Sequence, residues 1–270
     1  MKKSKAGLYW LVLIIVLLYA PIAVSVVCSF NEGRMSSVWS GFSLKWYRTL
    51  FRDRAIMRSI GNSAILAAGS SLIAAVISTA AVLVFRKCGI KQVRLPLEKF
   101  TRGVSMIPMM VPDIIMGMSF LAFYRLLNLP FGMLTLLLAH VSFCIPYVFL
   151  QVYARAAAMD DSPAEAAALL GGGKLRVFFD ITLPYLMPAE LSGMIIAFAM
   201  SFDDVIISMF VTGVSVNTLP VMVYTQIKTG MTPEVNALCT VMLAVAGLCM
   251  AASQLIKKKY RGGSPQKEEL

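Results

Sequence analysis

Residues 162–184 read SPAEAAALLGGGKLRVFFDITLP. Ser162, with Pro163 behind it and Glu165 three residues on, has the pattern of a capping box with proline in the first helical turn. Ala164–Leu170 is strong helix former, and Gly171 is placed to end that helix just past its C-cap. After Gly172 and Gly173, Lys174–Thr182 is expected to form a second short helix that stops before Pro184. The stretches on either side are of another kind. Phe131–Ala154 holds His140 as its one ionisable residue before Arg155, apart from thiol and phenol groups, and Leu186–Val211 holds only Glu190, Asp203 and Asp204. A structured loop is therefore held between two apolar runs, each long enough for the roughly 20 residues that cross a bilayer.

Working outward, four more such runs appear: Ala6–Phe30 and Asn62–Phe85 without charge, Gly103–Tyr124 with only Asp113, and Val235–Ile256 uncharged. Of the 270 residues, 58% are hydrophobic and 14% charged, with a mean hydropathy of +0.75. Soluble domains are about 45–50% apolar and about 25% charged, so too few charges remain here to coat a water-exposed surface. The expected fold is an all-α integral membrane protein with six transmembrane helices. The net charge of +11 is carried by segments between the apolar runs, with no nucleic-acid-binding motif around it, so nucleic acid is not an expected partner. The five cysteines lack disulfide or metal spacing and read as packing residues. The single His140 rules out a multi-histidine metal site within this chain.

Seventeen of the 25 basic residues fall on one side of the six expected spans and eight on the other. The positive-inside rule then places both termini in the cytoplasm. Behind Lys2, Lys3 and Lys5, the first run is longer than a signal-peptide core and reads as a retained anchor. Residues 1–60 form an N-terminal helix with an outer loop, residues 61–256 a core that includes the cytoplasmic loop 155–185, and residues 257–270 a polar tail. The outer loop 31–61 carries six basic residues beside Trp39, Phe42, Trp46 and Tyr47, and reads as an amphipathic segment on the membrane interface.

An Asp in mid-membrane costs about 2.5–3.5 kcal/mol on insertion scales, so it requires a polar partner or a wet cavity. Asp113, Asp203 and Asp204 have no basic residue within their own runs. They suit a pathway for a cationic solute, or else pairing with another subunit, or capping of a broken helix. Gly193, Ala197, Ser201, Asp204 and Ser208 recur at helical spacing as one small, polar face, suited to a pore or a close helix contact. Asp204 is thus the expected cavity residue and Asp203 the one turned to a neighbour. Pro108 and Pro112 before Asp113 mark a kink or a break. The methionines around them read as packing. His140 reads as a hydrogen-bonded core residue and Glu190 as interfacial. Tyr124, Tyr147 and Tyr224 are suited to stacking on a cation or to an aromatic belt.

Glu165-Ala166-Ala167, three residues, Gly171, nine residues, Ile181, one residue and Leu183-Pro184 resemble the EAA motif of binding-protein-dependent ABC importer permeases at every signature position. That resemblance implies a type I importer fold in which this loop docks into a cytoplasmic ATPase subunit. Gly171-Gly172-Gly173-Lys174 is not a phosphate loop, because Ala168 and Leu175 occupy positions that require Gly and Ser or Thr. No cofactor is therefore expected on this chain, with ATP used by the partner.

Over nearly its whole length the chain is similar to the PotC-type permease family of spermidine/putrescine importers. The likeness runs through Lys45-Trp46-Tyr47, Pro112-Asp113-Ile114, His140 with its neighbours, Asp203-Asp204-Val205 and Pro233-Glu234-Val235. Leu169 and Gly172-Gly173 depart from the usual pattern. The resemblance implies a complex of this subunit, a second permease, two ATPase copies and an external polyamine-binding protein in the bacterial inner membrane. It also implies that Trp46, Asp113, Asp203 and Asp204 serve polyamine passage or contact with the binding protein. The alternatives are an importer permease for another solute and an autonomous secondary transporter. No nucleophile–base pair points to an enzyme.

Overall fold

A computed structural model describes residues 5–33, 38–87, 91–213, 216–229 and 233–261. Every regular element among them is helical, and the one β-bridge pairs Asn31 with Phe42. The order is α1 (Lys5–Cys28), α2 (Lys45–Arg52), α3 (Arg54–Lys87), α4 (Lys91–Met110), α5 (Asp113–Leu126) and α6 (Met133–Ala157). After these come α7 (Ser162–Leu169), α8 (Lys174–Val177), a π-turn over Phe178–Thr182, α9 (Leu183–Phe202), α10 (Ile206–Val211), α11 (Leu219–Thr229) and α12 (Pro233–Arg261).

α3, α6 and α9 pack pairwise as the central bundle. Small side chains bring the helices close, as expected where lipid offers no hydrophobic drive to association, with Leu66, Phe149 and Leu186 filling the space between them. Ser63, Ala67, Ser70, Ala74 and Ser78 are fully buried along α3. A Cβ at Gly193 of α9 would stand 2.8 Å from the Cα of Val148 in α6, so the small face of α9 is a close helix contact there. α12 packs on α9, and α1 leans on α12. The apolar residues Tyr9–Cys28 of α1 bury none of their length inside the chain.

Four helices are long and apolar enough to cross a membrane, five when a bent pair is taken as one span. That pair is the third expected run. Arg102–Met110 and Asp113–Leu126 meet at 107°, so Pro108 and Pro112 lie at a true break. The fifth run is also not one helix: α9 ends at Phe202, and α10 starts again at Ile206. The last run lies in α12, whose apolar part spans Pro233–Leu248. The polar tail was expected from residue 257, but α12 continues to Arg261; residues 262–270 lie outside the described residues.

The loop departs from expectation at both ends. Ser162 does not form the capping box. Its N–H and hydroxyl instead donate to Asp160 Oδ1 at 3.1 and 2.8 Å, and α7 starts at Ser162 itself. Nor does the second short helix stop before Pro184. Leu183 N–H donates to the Phe178 carbonyl five residues back. This wider turn shifts the register just where proline has no N–H to offer. One rod therefore runs from Lys174 to Phe202.

Candidate functional site

Both helix breaks open onto one cavity of about 430 Å³. Asp113, Asp203 and Asp204 line it together with Pro108, Phe143 and Tyr147, and no Lys or Arg is among its lining residues. Asp113 arrives as the first residue of α5, after Pro112 in extended conformation. Asp113 and the Asp203–Asp204 pair, some 90 residues apart in the chain, thus line the same space. Tyr147 adds an aromatic face able to hold a cation.

Asp204 lines the cavity as expected, but Asp203, expected to turn to a neighbour, lines it too and is the more exposed of the two. Asp203 is exposed toward the cavity. The side chain of Asp204 is only 10% exposed and caps α10: Oδ1 accepts from Ile207 N–H at 3.3 Å and Oδ2 from Ser208 N–H at 2.8 Å. The helix restarts after Asp204, so positions 204 and 208 do not continue the face of α9.

Behind Asp204 lies His140, fully buried in α6. Its Nδ1 is 2.7 Å from Ser201 Oγ in α9, and its Nε2 is 3.0 Å from Ser208 Oγ in α10. One imidazole therefore spans the break between the two helices. Nε2 also lies 3.5 Å from Asp204 Oδ2. Beside an ionised carboxylate, which only accepts, the imidazole would carry its proton on Nε2 and accept from the Ser201 hydroxyl at Nδ1. Ser70 of α3 donates to Ser201 at 3.0 Å, and the Cys144 thiol contacts Ser70 Oγ at 3.9 Å. The core reading of His140 agrees with this burial, and so does packing for Cys144. Cys88 lies outside the described residues.

Glu190 is half-buried within the α3–α9 contact, where it accepts from the Thr79 hydroxyl at 3.2 Å. Tyr124 is buried, and Tyr224 already carries a cation of this chain, with Lys228 Nζ 4.7 Å from its ring centre. Trp46 is not in the cavity. Its Nε1–H donates to the Asn31 carbonyl at 2.8 Å, and Lys45 lies over its ring.

At the other end of the rod, no residue of α7 is buried. Glu165 and Ala166 are exposed, and Leu169 and Leu170 are each 89% exposed. Ala167, Gly171 and Ile181 share an open groove of about 260 Å³, with Leu183 half-buried and Pro184 exposed beside it. Gly171 takes φ +86°, the left-handed conformation that glycine adopts without penalty. Gly172 N–H returns to the Ala167 carbonyl at 2.9 Å. The loop is tied to the bundle through Arg155, whose Nε–H donates to the Tyr185 carbonyl and whose guanidinium lies 4.2 Å from the Tyr185 ring centre. Among the described residues no group of three or more His, Cys, Asp or Glu could hold a metal ion.

The family described as "Binding-protein-dependent transport system inner membrane component" matches residues 88–258. The spermidine/putrescine transport system permease protein PotC of Shigella flexneri is 38% identical over 250 residues, covering 91% of this chain and 92% of the relative. The putrescine transport system permease protein PotI of Escherichia coli K12 is 39% identical over 252 residues, covering 88% and 87%. Among solved structures, a chain of a bacterial ABC transporter that imports the acidic polysaccharide alginate superposes with a TM-score of 0.71 at 12% identity, covering 95% of this chain and 96% of that one. A chain of the MetNI methionine ABC transporter gives 0.62 at 14% identity, covering 76% and 98%. These two likenesses concern the fold, which is that of type I ABC importer permeases.

Proposed function

The chain belongs to the binding-protein-dependent transport system inner membrane component family, and from this we propose that it is the permease subunit of an ATP-driven polyamine importer. It is a multi-pass inner-membrane protein, and its relatives are transport permeases. The observation that carries the cargo assignment is the cavity where Asp113, Asp203 and Asp204 converge without a neighbouring Lys or Arg. Unit charges 4 Å apart attract by about 1 kcal/mol in water and about 4 kcal/mol at an effective dielectric of 20. Two or three such contacts hold a di- or trication while still releasing it. Polyamine-permease relatives at 38–39% identity point the same way.

In this reading both termini are cytoplasmic and the loop 155–185 faces a dimer of ATPase subunits, which bind and hydrolyse the ATP. A second permease completes the cavity, and an external binding protein delivers the polyamine. The Lys174–Phe202 rod joins the two ends of the mechanism. Its 29 residues span about 40 Å, from the exposed loop to the carboxylates after Phe202. Closure of the ATPase dimer would push on α7 and α8, and the rod would carry that displacement to the α9–α10 break.

The test is uptake of labelled spermidine and putrescine by the reconstituted complex, by the complex with a hydrolysis-dead ATPase, and by this chain alone. Uptake by the intact complex only is the expected result. Uptake by this chain alone on an ion gradient would make it a secondary transporter. ATP hydrolysis coupled to no polyamine uptake would assign the importer another solute.

A further inference from the structure

α2 presents two unlike faces. Leu50 is fully buried, and Trp46 and Tyr47 pack into the same cluster. At 100° per residue, Lys45, Arg48 and Arg52 fall together on the other side. There they line a second cavity of about 430 Å³, which the preceding Phe42, Ser43 and Leu44 complete. Three of its side chains are cationic and none is acidic. The neighbouring Asp53 is engaged elsewhere, its Oδ1 accepting from the N–H groups of Ala55 and Ile56 at the start of α3. Among the described residues no carboxylate pairs with Arg48 or Arg52.

Cations three and four residues apart on one helix repel, so this face is best satisfied by an anion. Guanidinium groups favour phosphate oxygens, which they grip in pairs. The surroundings select the form of that phosphate. Phe42, Leu44 and Phe51 are exposed large apolar side chains beside the cationic cluster, and the helix before α2 is α1, whose residues 9–24 are exposed. Cationic groups next to exposed aromatic and aliphatic ones form the pattern of a segment seated at a lipid interface. We propose that the α2 cavity binds the phosphodiester headgroup of an anionic phospholipid, with Arg48 and Arg52 on the phosphate, Lys45 adding its charge from over the Trp46 ring, and Phe42 and Leu44 against the acyl chains.

The experiment uses the full chain in its assembled complex and reads retained lipid by native mass spectrometry. The probes are phosphatidylglycerol, phosphatidylcholine and inorganic phosphate. The Arg48→Gln/Arg52→Gln variant is compared with Arg54→Gln/Arg58→Gln, which removes two exposed cations of α3 outside the cavity. Phosphatidylglycerol is expected to be retained over phosphatidylcholine and to bind about thirtyfold more weakly after loss of Arg48 and Arg52. The Arg54/Arg58 control should bind as wild type does. Equal loss in both variants, or equal retention of phosphatidylcholine, would overturn the proposal. Displacement of the lipid by millimolar phosphate would reduce the site to a free-anion site. Loss of the external binding protein from the Arg48/Arg52 variant, with lipid retention unchanged, would assign the face to an acidic protein surface instead.

Discussion

His140 Nε2 lies 3.5 Å from Asp204 Oδ2, and the same ring nitrogen lies 3.0 Å from Ser208 Oγ. A buried side chain of α6 thereby holds the segment that restarts the helix, while its other nitrogen holds Ser201 before the break. The Asp204 carboxylate in the cavity wall and the device that keeps the helix broken are parts of one hydrogen-bonded unit.

Replacing His140 by Phe keeps an aromatic ring but leaves two buried serine hydroxyls without their ring partner. Each such loss costs about 1–3 kcal/mol. The variant should unfold at lower temperature and transport poorly, and His140→Gln should recover part of both. Thermal unfolding in detergent and uptake, measured on the same preparations, check this.

Asp203 and Asp204 should separate under mutation. Among the described residues the Asp203 carboxylate accepts no hydrogen bond, so Asp203→Asn is expected to lower uptake at an unchanged yield of assembled complex. Asp204→Asn keeps one of two cap contacts and loses about 1 kcal/mol at the start of α10, so it should combine reduced uptake with a small loss of stability. Yield, unfolding midpoint and uptake of the two variants distinguish the roles.

How far this arrangement was legible in the sequence differs from break to break. Pro108 and Pro112 announce the first, because proline cannot continue a hydrogen-bonded turn. No proline or glycine lies between Met200 and Val211, so helical spacing carries straight across the second. What stops the helix there is a local competition: the Asp204 carboxylate takes the N–H groups of Ile207 and Ser208, an option open to any Asp and exercised only in tertiary context. That is why helical spacing turned Asp203 away from a cavity that it lines beside Asp204. The EAA spacing located the loop, but not the π-turn that fuses it to α9. The partners of His140 come from α9 and α10, some 60 residues away, and no periodicity points to them.

Gly193→Val tests the packing of the rod. Its Cβ would stand 2.8 Å from the Val148 Cα, and overpacking of this kind costs about 1–3 kcal/mol. A lower unfolding midpoint and a reduced yield of assembled complex are the expected readouts.

Gly171→Val tests the loop. A β-branched residue at φ +86° carries a penalty of about 1–2 kcal/mol, with α7 otherwise unchanged. Co-purification of the ATPase subunit should fall, while the yield of folded permease holds.

Acid should loosen the start of α7. The N–H and hydroxyl of Ser162 hold the Asp160 carboxyl below its usual range. A depressed folded pKa contributes stability above the unfolded value, about 3.9, that is lost as pH falls through the folded one. The protection factors of the α7 amides, which remove the intrinsic pH dependence of exchange, should therefore be flat across neutral pH and fall only below about pH 4. Ser162→Ala should weaken that dependence.

The central claim is that the three carboxylates form the polyamine path, and the most direct measurement is spermidine uptake by complexes carrying Asp113→Asn, Asp203→Asn or Asp204→Asn. Each is compared with wild type at matched assembly and ATP hydrolysis. Uptake lowered at least tenfold by every substitution, the effect of about 1.4 kcal/mol, is the predicted result. Wild-type uptake in all three would contradict the account.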